Sequence, residues 1–418
     1  MSAGAPSPHH YDVIVIGAGA SGLMAAGTAA ARGKRVLLFE KNGKIGEKLR
    51  ITGGKRCNIT NAEDDLKILL GKYGDAEQFL YSSFSEFGVA DTFSFFESRK
   101  LPLVIEANKR AFPKSQSAAD VVKTMTDFIN KGKVEVRLKT PVRQILSEGG
   151  RIKAVVASGG EYTADSYIFA TGGVSHPETG STGDGFGWLK ALGHAVTDPT
   201  PTIVPLKTKE KWVRDYPGTT LPGVKITFFL NGQKRFHKTG NILLAHFGFT
   251  GPTILNSAGL VADLLHEGTV TASIDLFPAQ DIGSLDRKLV ALFDGNKNKA
   301  LRNALRELLP PGASDIVLSL VPALAPDKKV HSITKEERRA LIDTMKGLPA
   351  TIAGLMGLDR AVVADGGVPL SEMDMRTMRS LKCSNLFITG DLLNITRPSG
   401  GYSLQLCWTS GYVAGTNC

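Results

Sequence analysis

Cysteine is scarce in this chain and nowhere paired. The four present, Cys57, Cys383, Cys407 and Cys418, form no C-x-x-C and no metal-ligand spacing. That argues against zinc, an iron–sulfur cluster or a disulfide framework, and for free thiols in a reducing compartment with no metal. Long hydrophobic runs are missing too. The most apolar stretch, 241–265, is broken by His246, Gly251, Pro252 and Asp263, so it falls short of the roughly 20 apolar residues of a membrane helix. The first ten residues form a short polar tail rather than a signal peptide. A cytoplasmic protein without a membrane partner is therefore expected. Internal repeats and low-complexity tracts are absent. What is there fits an ordinary folded protein, 42% hydrophobic and 22% charged, and 418 residues suit two or three domains.

The one compositional bias is charge, a formal +10. It is uneven: Lys207 to Lys238 holds eight basic residues against two acidic, and Lys34 to Arg56 the same. Such surpluses suit a polyanion, either nucleic acid or a phosphorylated cofactor, although a solvated face needs no partner.

Tyr11 to Ile16 (YDVIVI) is a short β-branched run ending in glycine, the pattern of a buried parallel strand. Ser21 to Arg32 is Ala-rich and helical, Gly33 stops it, and Arg35 to Glu40 makes a second strand. The stretch from Glu63 to Asn130 reads as mainly helical, its phenylalanines as core. Four short runs follow, 134–138, 142–146, 152–157 and 162–170, expected as an antiparallel meander. Prolines 199, 201, 205, 217 and 222 then mark a change of texture, and Asn231-Gly232 signals a hairpin. Residues 284–348 carry helical patterning. The end returns to the first domain, with a strand at Asn385 to Thr389 and a helix at Leu404 to Ala414. The expected domains are 1–199 with 360–418, and an inserted β-rich domain, 200–359, helical over about 280–348.

Between the first strand and helix stands Gly17-Ala18-Gly19-Ala20-Ser21-Gly22, a G-x-G-x-x-G. Gly17 permits the turn, Gly19 admits a diphosphate to the backbone, and Gly22 lets helix meet strand. The helix N-terminus then faces the phosphates. Glu40, ending the second strand, is placed to accept ribose hydroxyls. With strand, helix and acid all in position, a dinucleotide site follows.

The choice of dinucleotide comes from later segments. Ala170-Thr171-Gly172-Gly173 and Gly390-Asp391 follow in an order that resembles the glutathione-reductase-like flavoproteins, whose late Gly-Asp turn holds FAD. No second strand-linked G-x-G-x-x-G marks a separate NAD(P)H domain. Lys48 to Asn61 (KLRITGGKRCNITN) resembles the signature of the BaiN/RdsA family of NAD(P)/FAD-dependent oxidoreductases. So do ATGGVSHP (170–177), GSTGDG (180–185), LLAHFGFTGPTIL (243–255) and GGYSLQ (400–405). The likeness covers nearly the whole chain. Lys55, Ala245 and Ser403 depart from the family's Gly, Thr and Asn, and Gly390-Asp391-Leu392-Leu393-Asn394 stands where most members have G-E-x-L-D.

The resemblance implies an α/β fold: a split, three-layer ββα Rossmann-type FAD-binding domain with an inserted β-barrel-like domain carrying a helical subdomain. It also extends the cofactor contacts to Lys41, Lys48, Thr52, Gly53, Gly54, Arg56, Cys57, Asn58 and Val142. Arg56 is expected along the flavin and diphosphate. Gly400, Gly401, Tyr402 and Ser403 are expected to turn N–H groups and a helix dipole toward the reduced flavin. Cys57 is a thiol donor or a packed residue, and His246 a candidate acid. The implied reaction passes electrons from NAD(P)H through FAD to a C=C or C=O bond of a small molecule. Alternatives are a ribosomal RNA dihydrouridine synthase, an amine or aminoketone oxidase using oxygen, and a non-enzymatic flavin-bearing interaction protein.

Overall fold

A computed structural model describes residues 9–418, with side chains from His10 onward. Most of the polar tail, 1–8, lies outside the described residues; its last two residues already belong to the first strand, His9–Ile16. The chain divides into two compact units, one of residues up to Pro201 together with Val362–Cys418, the other Thr202–Ala361.

The first unit is built on five parallel strands in the order Leu386–Ile388, Gly160–Phe169, His9–Ile16, Val36–Phe39, Glu135–Arg137. The central one is sealed on both faces, with Val13, Ile14 and Val15 wholly buried, as an apolar parallel strand must be. Helix Ala20–Ala31 leaves that strand through the glycine turn and is built mostly of small residues, Leu23 and Met24 being the large ones. The C-terminal helix, Tyr402–Asn417, packs there with almost no gap: a Cβ added at Gly411 would lie 2.4 Å from the Ser21 carbonyl oxygen, and one at Gly415 2.4 Å from that of Ala25. Elsewhere on the helix, Gly27 makes room for the ring of Phe128, on helix Ala118–Lys131.

One expectation is corrected. The segment 134–138 is not part of a meander. Its strand, Glu135–Arg137, extends the parallel sheet beside Val36–Phe39; of the four runs, only Val142–Glu148, Arg151–Ala157 and the start of Gly160–Phe169 pair antiparallel with one another. The 63–130 region is mainly helical, as expected, with one β element inside it. Leu103–Glu106 and Arg110–Pro113 form a hairpin whose second strand also pairs Thr60–Asn61.

The second unit is a closed antiparallel barrel. Its strands follow in the order Leu206–Thr208, Gly248–Thr250, Gln233–Ala245, Thr220–Leu230, Val270–Asp275, Leu348–Leu355. Asn231 and Gly232, with φ of +49° and +82°, make the two-residue turn their sequence announces. Helices from Ile282–Gly295 to Lys335–Lys346 are inserted between the last two barrel strands, and the unit has a hydrophobic core of its own.

Candidate functional site

The three glycines of the turn have different duties. Gly17 has a φ of +104°, and a Cβ there would stand 2.5 Å from the Ala170 carbonyl oxygen. At Gly22 the Cβ would stand 1.9 Å from the Gly17 carbonyl oxygen. These two glycines exist for backbone packing. A Cβ on Gly19 meets no atom within 4 Å: that side faces a cleft of about 1220 Å³, its open mouth included. The free N–H groups at the start of helix Ala20–Ala31 lie beside it, a ready site for phosphate oxygens.

The cleft collects residues from distant parts of the first unit. Gly17 through Ser21, Glu40, Lys41, Lys48, Thr52, Val142, Ala170 through Gly172, Asp391 and Ser403 all line it, so most expected cofactor contacts are brought together. Glu40 is buried and braced: Oε2 accepts from Ala18 N–H at 2.9 Å and Oε1 from Asn42 N–H at 2.8 Å. A carboxylate has two lone pairs on each oxygen, so one on each is left for ribose hydroxyls. Lys41 reaches Thr182 (2.5 Å) and Asp184 (2.8 Å), tying the GSTGDG loop to the strand end. Burial would raise Asp184, but hydrogen bonds from Lys41 and Thr182 hold its carboxyl below its ordinary value.

Asp391 sits between two cations, Lys48 at 3.4 Å and Arg397 in direct hydrogen-bond contact. Burial alone would push its carboxyl up; the charges of Arg397 and Lys48 outweigh that and hold it down. Lys48 also donates to Ser175 Oγ at 2.6 Å. An open diphosphate cradle, a ribose carboxylate and an ionised aspartate in one cleft fit FAD.

Other expected contacts do not line this cleft. Thr52 to Cys57 is not a simple glycine loop: helix Glu47–Lys55 breaks at Thr52, and Gly53, Gly54 and Lys55 turn left-handed at φ of +56°, +68° and +70°. Arg56 then stacks on Phe112 (3.9 Å) and pairs with Glu106 (2.5 Å), so its charge serves the 103–113 hairpin. Cys57 is wholly buried, and burial pushes its thiol up to about 12. Its thiol stays protonated at neutral pH and is packed inside the fold, away from the cleft lining. With its amide turned to satisfy both ends, Asn58 accepts from Gly401 N–H at 3.0 Å. That uses inside the fold the N–H expected to face the flavin. Gly400 accepts from Asn61, and Tyr402 from Tyr73. Gly22, Gly173 and Gly390 shape the backbone behind the cleft; Gly390 packs on Ser21 and Cys407. His246 belongs to the second unit, exposed on the turn after Gln233–Ala245.

Several lining residues lie outside the motif readings: Asn42, Glu47, Thr140, Pro141, Trp188 and Val363 among them. Thr140 and Pro141 adjoin the expected Val142 and were within reach of sequence reasoning. Arg397, the buried partner of Asp391, had no such signal.

A family model described as HI0933-like protein Rossmann domain matches residues 11–417. Among curated proteins, the chain is 28% identical over 410 residues to a 3-dehydro-bile acid delta(4,6)-reductase of Clostridium scindens, covering 96% of this chain and 97% of that one. It is 27% identical over 404 residues to a ribosomal RNA dihydrouridine synthase of Escherichia coli, 96% of each chain. Among solved structures, 3-ketosteroid-delta4-(5alpha)-dehydrogenase from Rhodococcus jostii RHA1 superposes with a TM-score of 0.55 at 14% identity, over 99% of this chain and 98% of the other.

Proposed function

The chain belongs to the HI0933-like Rossmann family and is an FAD-dependent oxidoreductase, and from that premise we propose that it takes electrons from NAD(P)H and reduces a polarised C=C or C=O bond of its substrate. The observation that carries this reading is the open space before Gly19, in a cleft that Glu40 and Asp391 also line. FAD, when bound, supplies the relay that accepts a hydride and passes it on. The chain's own part is to bind and orient. The Gly17–Gly22 turn holds the diphosphate, Glu40 the ribose, and Asp391 with Ser403 the portion of the cofactor beyond.

The names of these two full-length relatives describe reductive chemistry, which supports reduction over oxidation. The proton that completes such a reduction is assigned to His246, whose ring is exposed and meets Phe247 edge-on at 5.0 Å. Anaerobic titration of the purified protein with NADH and with NADPH tests the donor: one of them should bleach the flavin band within turnover time. A flavin that neither nucleotide reduces would remove NAD(P)H from the account. His246→Asn should leave the flavin spectrum and FAD content intact while slowing reoxidation by substrate; FAD content falling in step with activity would make the residue structural.

A second reading, a ribosomal RNA dihydrouridine synthase, is favoured by the basic segment. Lys207, Lys209, Lys211, Arg214, Lys234, Arg235 and Lys238 are exposed. Only Lys225 is half-buried, 3.8 Å from Asp275. Mapping dihydrouridine in ribosomal RNA from cells with and without the gene separates the two readings.

A further inference from the structure

One buried arginine ties together the late part of the cofactor cleft. Arg397 is 3% exposed and belongs to none of the motifs. Its guanidinium reaches three places in three directions: Nη2 to the Asp391 carboxylate, Nε to Ser403 Oγ at 3.2 Å, and Nη1 to the Ile395 carbonyl at 2.5 Å. Asp391 and Ser403 line the cleft; Arg397 does not. A planar fork with fixed donor directions can hold a carboxylate and a hydroxyl from separate segments at once, which a lysine ammonium on a flexible stem does not reproduce. A guanidinium this deeply buried would be costly without these partners.

We infer that Arg397 is a positioning residue, which by gripping Asp391 and Ser403 together fixes the Gly390-Asp391 turn against the start of the C-terminal helix in the geometry that FAD requires. The inference rests on the FAD reading above. Asp391 and Ser403 then act as a coupled pair, through a residue that never touches the cofactor. Lys48, the other cation on Asp391, leaves the trio with a surplus positive charge and reaches only one of the two.

The test is a double-mutant cycle on FAD affinity, titrating FAD-free protein of the full chain with FAD. Ser403→Ala should weaken FAD about tenfold or more in the wild-type background, within the range of one lost hydrogen bond to a charged group. In an Asp391→Asn background the same change should cost clearly less, because the geometry it helped to fix is already lost and only the place of Ser403 on the cleft wall remains. Ser403→Thr, which keeps the hydroxyl, should restore affinity. Arg397→Lys should weaken FAD about 10-fold to 100-fold; if that variant does not fold, the Ser403–Asp391 cycle decides alone. Equal losses from Ser403→Ala in both backgrounds, or no loss in either, would overturn the inference. A wild-type protein that binds no FAD sinks the FAD reading itself, whereas one that binds FAD with uncoupled variants sinks only the role of Arg397.

Discussion

Gly19 and Gly22 stand three residues apart in one motif, yet their substitution should fail in different ways. A valine at Gly22 drives a side chain into the Gly17 carbonyl, 1.9 Å from the Cβ, and the strand–helix turn cannot form. A valine at Gly19 enters empty cleft. Gly19→Val is therefore expected to fold with a near-normal circular dichroism spectrum and carry no FAD, while Gly22→Val fails to accumulate as folded protein. Folded, FAD-replete Gly19→Val would mean that the diphosphate lies elsewhere. Lys55 offers the opposite case. It adopts a left-handed φ of +70° where the family resemblance expects glycine, and an L side chain there costs about 1–2 kcal/mol against the right-handed form. Lys55→Gly regains part of this, less the greater freedom of glycine in the unfolded chain. Urea denaturation should show about 0.5–1 kcal/mol of added stability, and a loss would show that the lysine makes a compensating contact. The glycine motif was readable because each glycine answers a local backbone need. Arg397 was not, because its partners meet only through the fold.

At the scale of elements, the first strand, helix and second strand were legible from period and punctuation. Direction was not. The run at 134–138 looks like its antiparallel successors, and only the pairing of Glu135–Arg137 with Val36–Phe39 makes it parallel. The 103–113 hairpin escaped because its sequence, LVIEANKRAFP, lacks a Gly or Pro turn; Asn108 and Lys109 take positive φ without one. Another element contact carries a pH prediction. His194, buried after helix Asp184–Ala191, bonds Glu372 at 2.7 Å and Ser380 at 2.8 Å. These are the distances of a hydrolytic triad, but Ser380 is buried and its Oγ already accepts from the N–H groups of Lys382 and Cys383. Its own proton therefore goes to His194, which stays neutral. Burial lowers the affinity of His194 for a proton, and Glu372 only partly offsets this. The unfolded chain thus takes up the proton first: stability is full above the unfolded value near 6.5 and declines as pH falls through it. His194→Gln should lose stability at pH 8 and then fall less steeply toward pH 5.5 than wild type, in urea titrations at both. Parallel slopes would refute the assignment.

The whole molecule carries its charge surplus mainly on the barrel unit and its cofactor chemistry on the other, each with a separate core. If the 207–238 face meets RNA phosphates, affinity should fall steeply with salt, each contact contributing a log–log slope of about −0.7 on a single strand and about −0.9 on a duplex. Replacing Lys207, Lys209, Lys211 and Lys234 by Gln should flatten that slope and leave FAD content unchanged. Weak, salt-insensitive binding that survives the four changes would leave the face as solvated surface. The split of the first unit around the barrel was legible in the change of texture near 200 and the late Gly-Asp turn. The shared closure of helices Ala20–Ala31 and Tyr402–Asn417 was not, since Gly411 and Gly415 look like ordinary helix weakeners until they meet Ser21 and Ala25.

The account stands on the cleft holding FAD by the Gly17–Gly22 turn, Glu40 and Asp391. The most direct test is to release the cofactor from purified wild-type protein by heat, identify it by mass spectrometry, and do the same for Gly19→Val. The account predicts FAD, non-covalently bound, from the wild type and none from the folded variant. FMN, NAD alone or a colourless wild-type protein would contradict it.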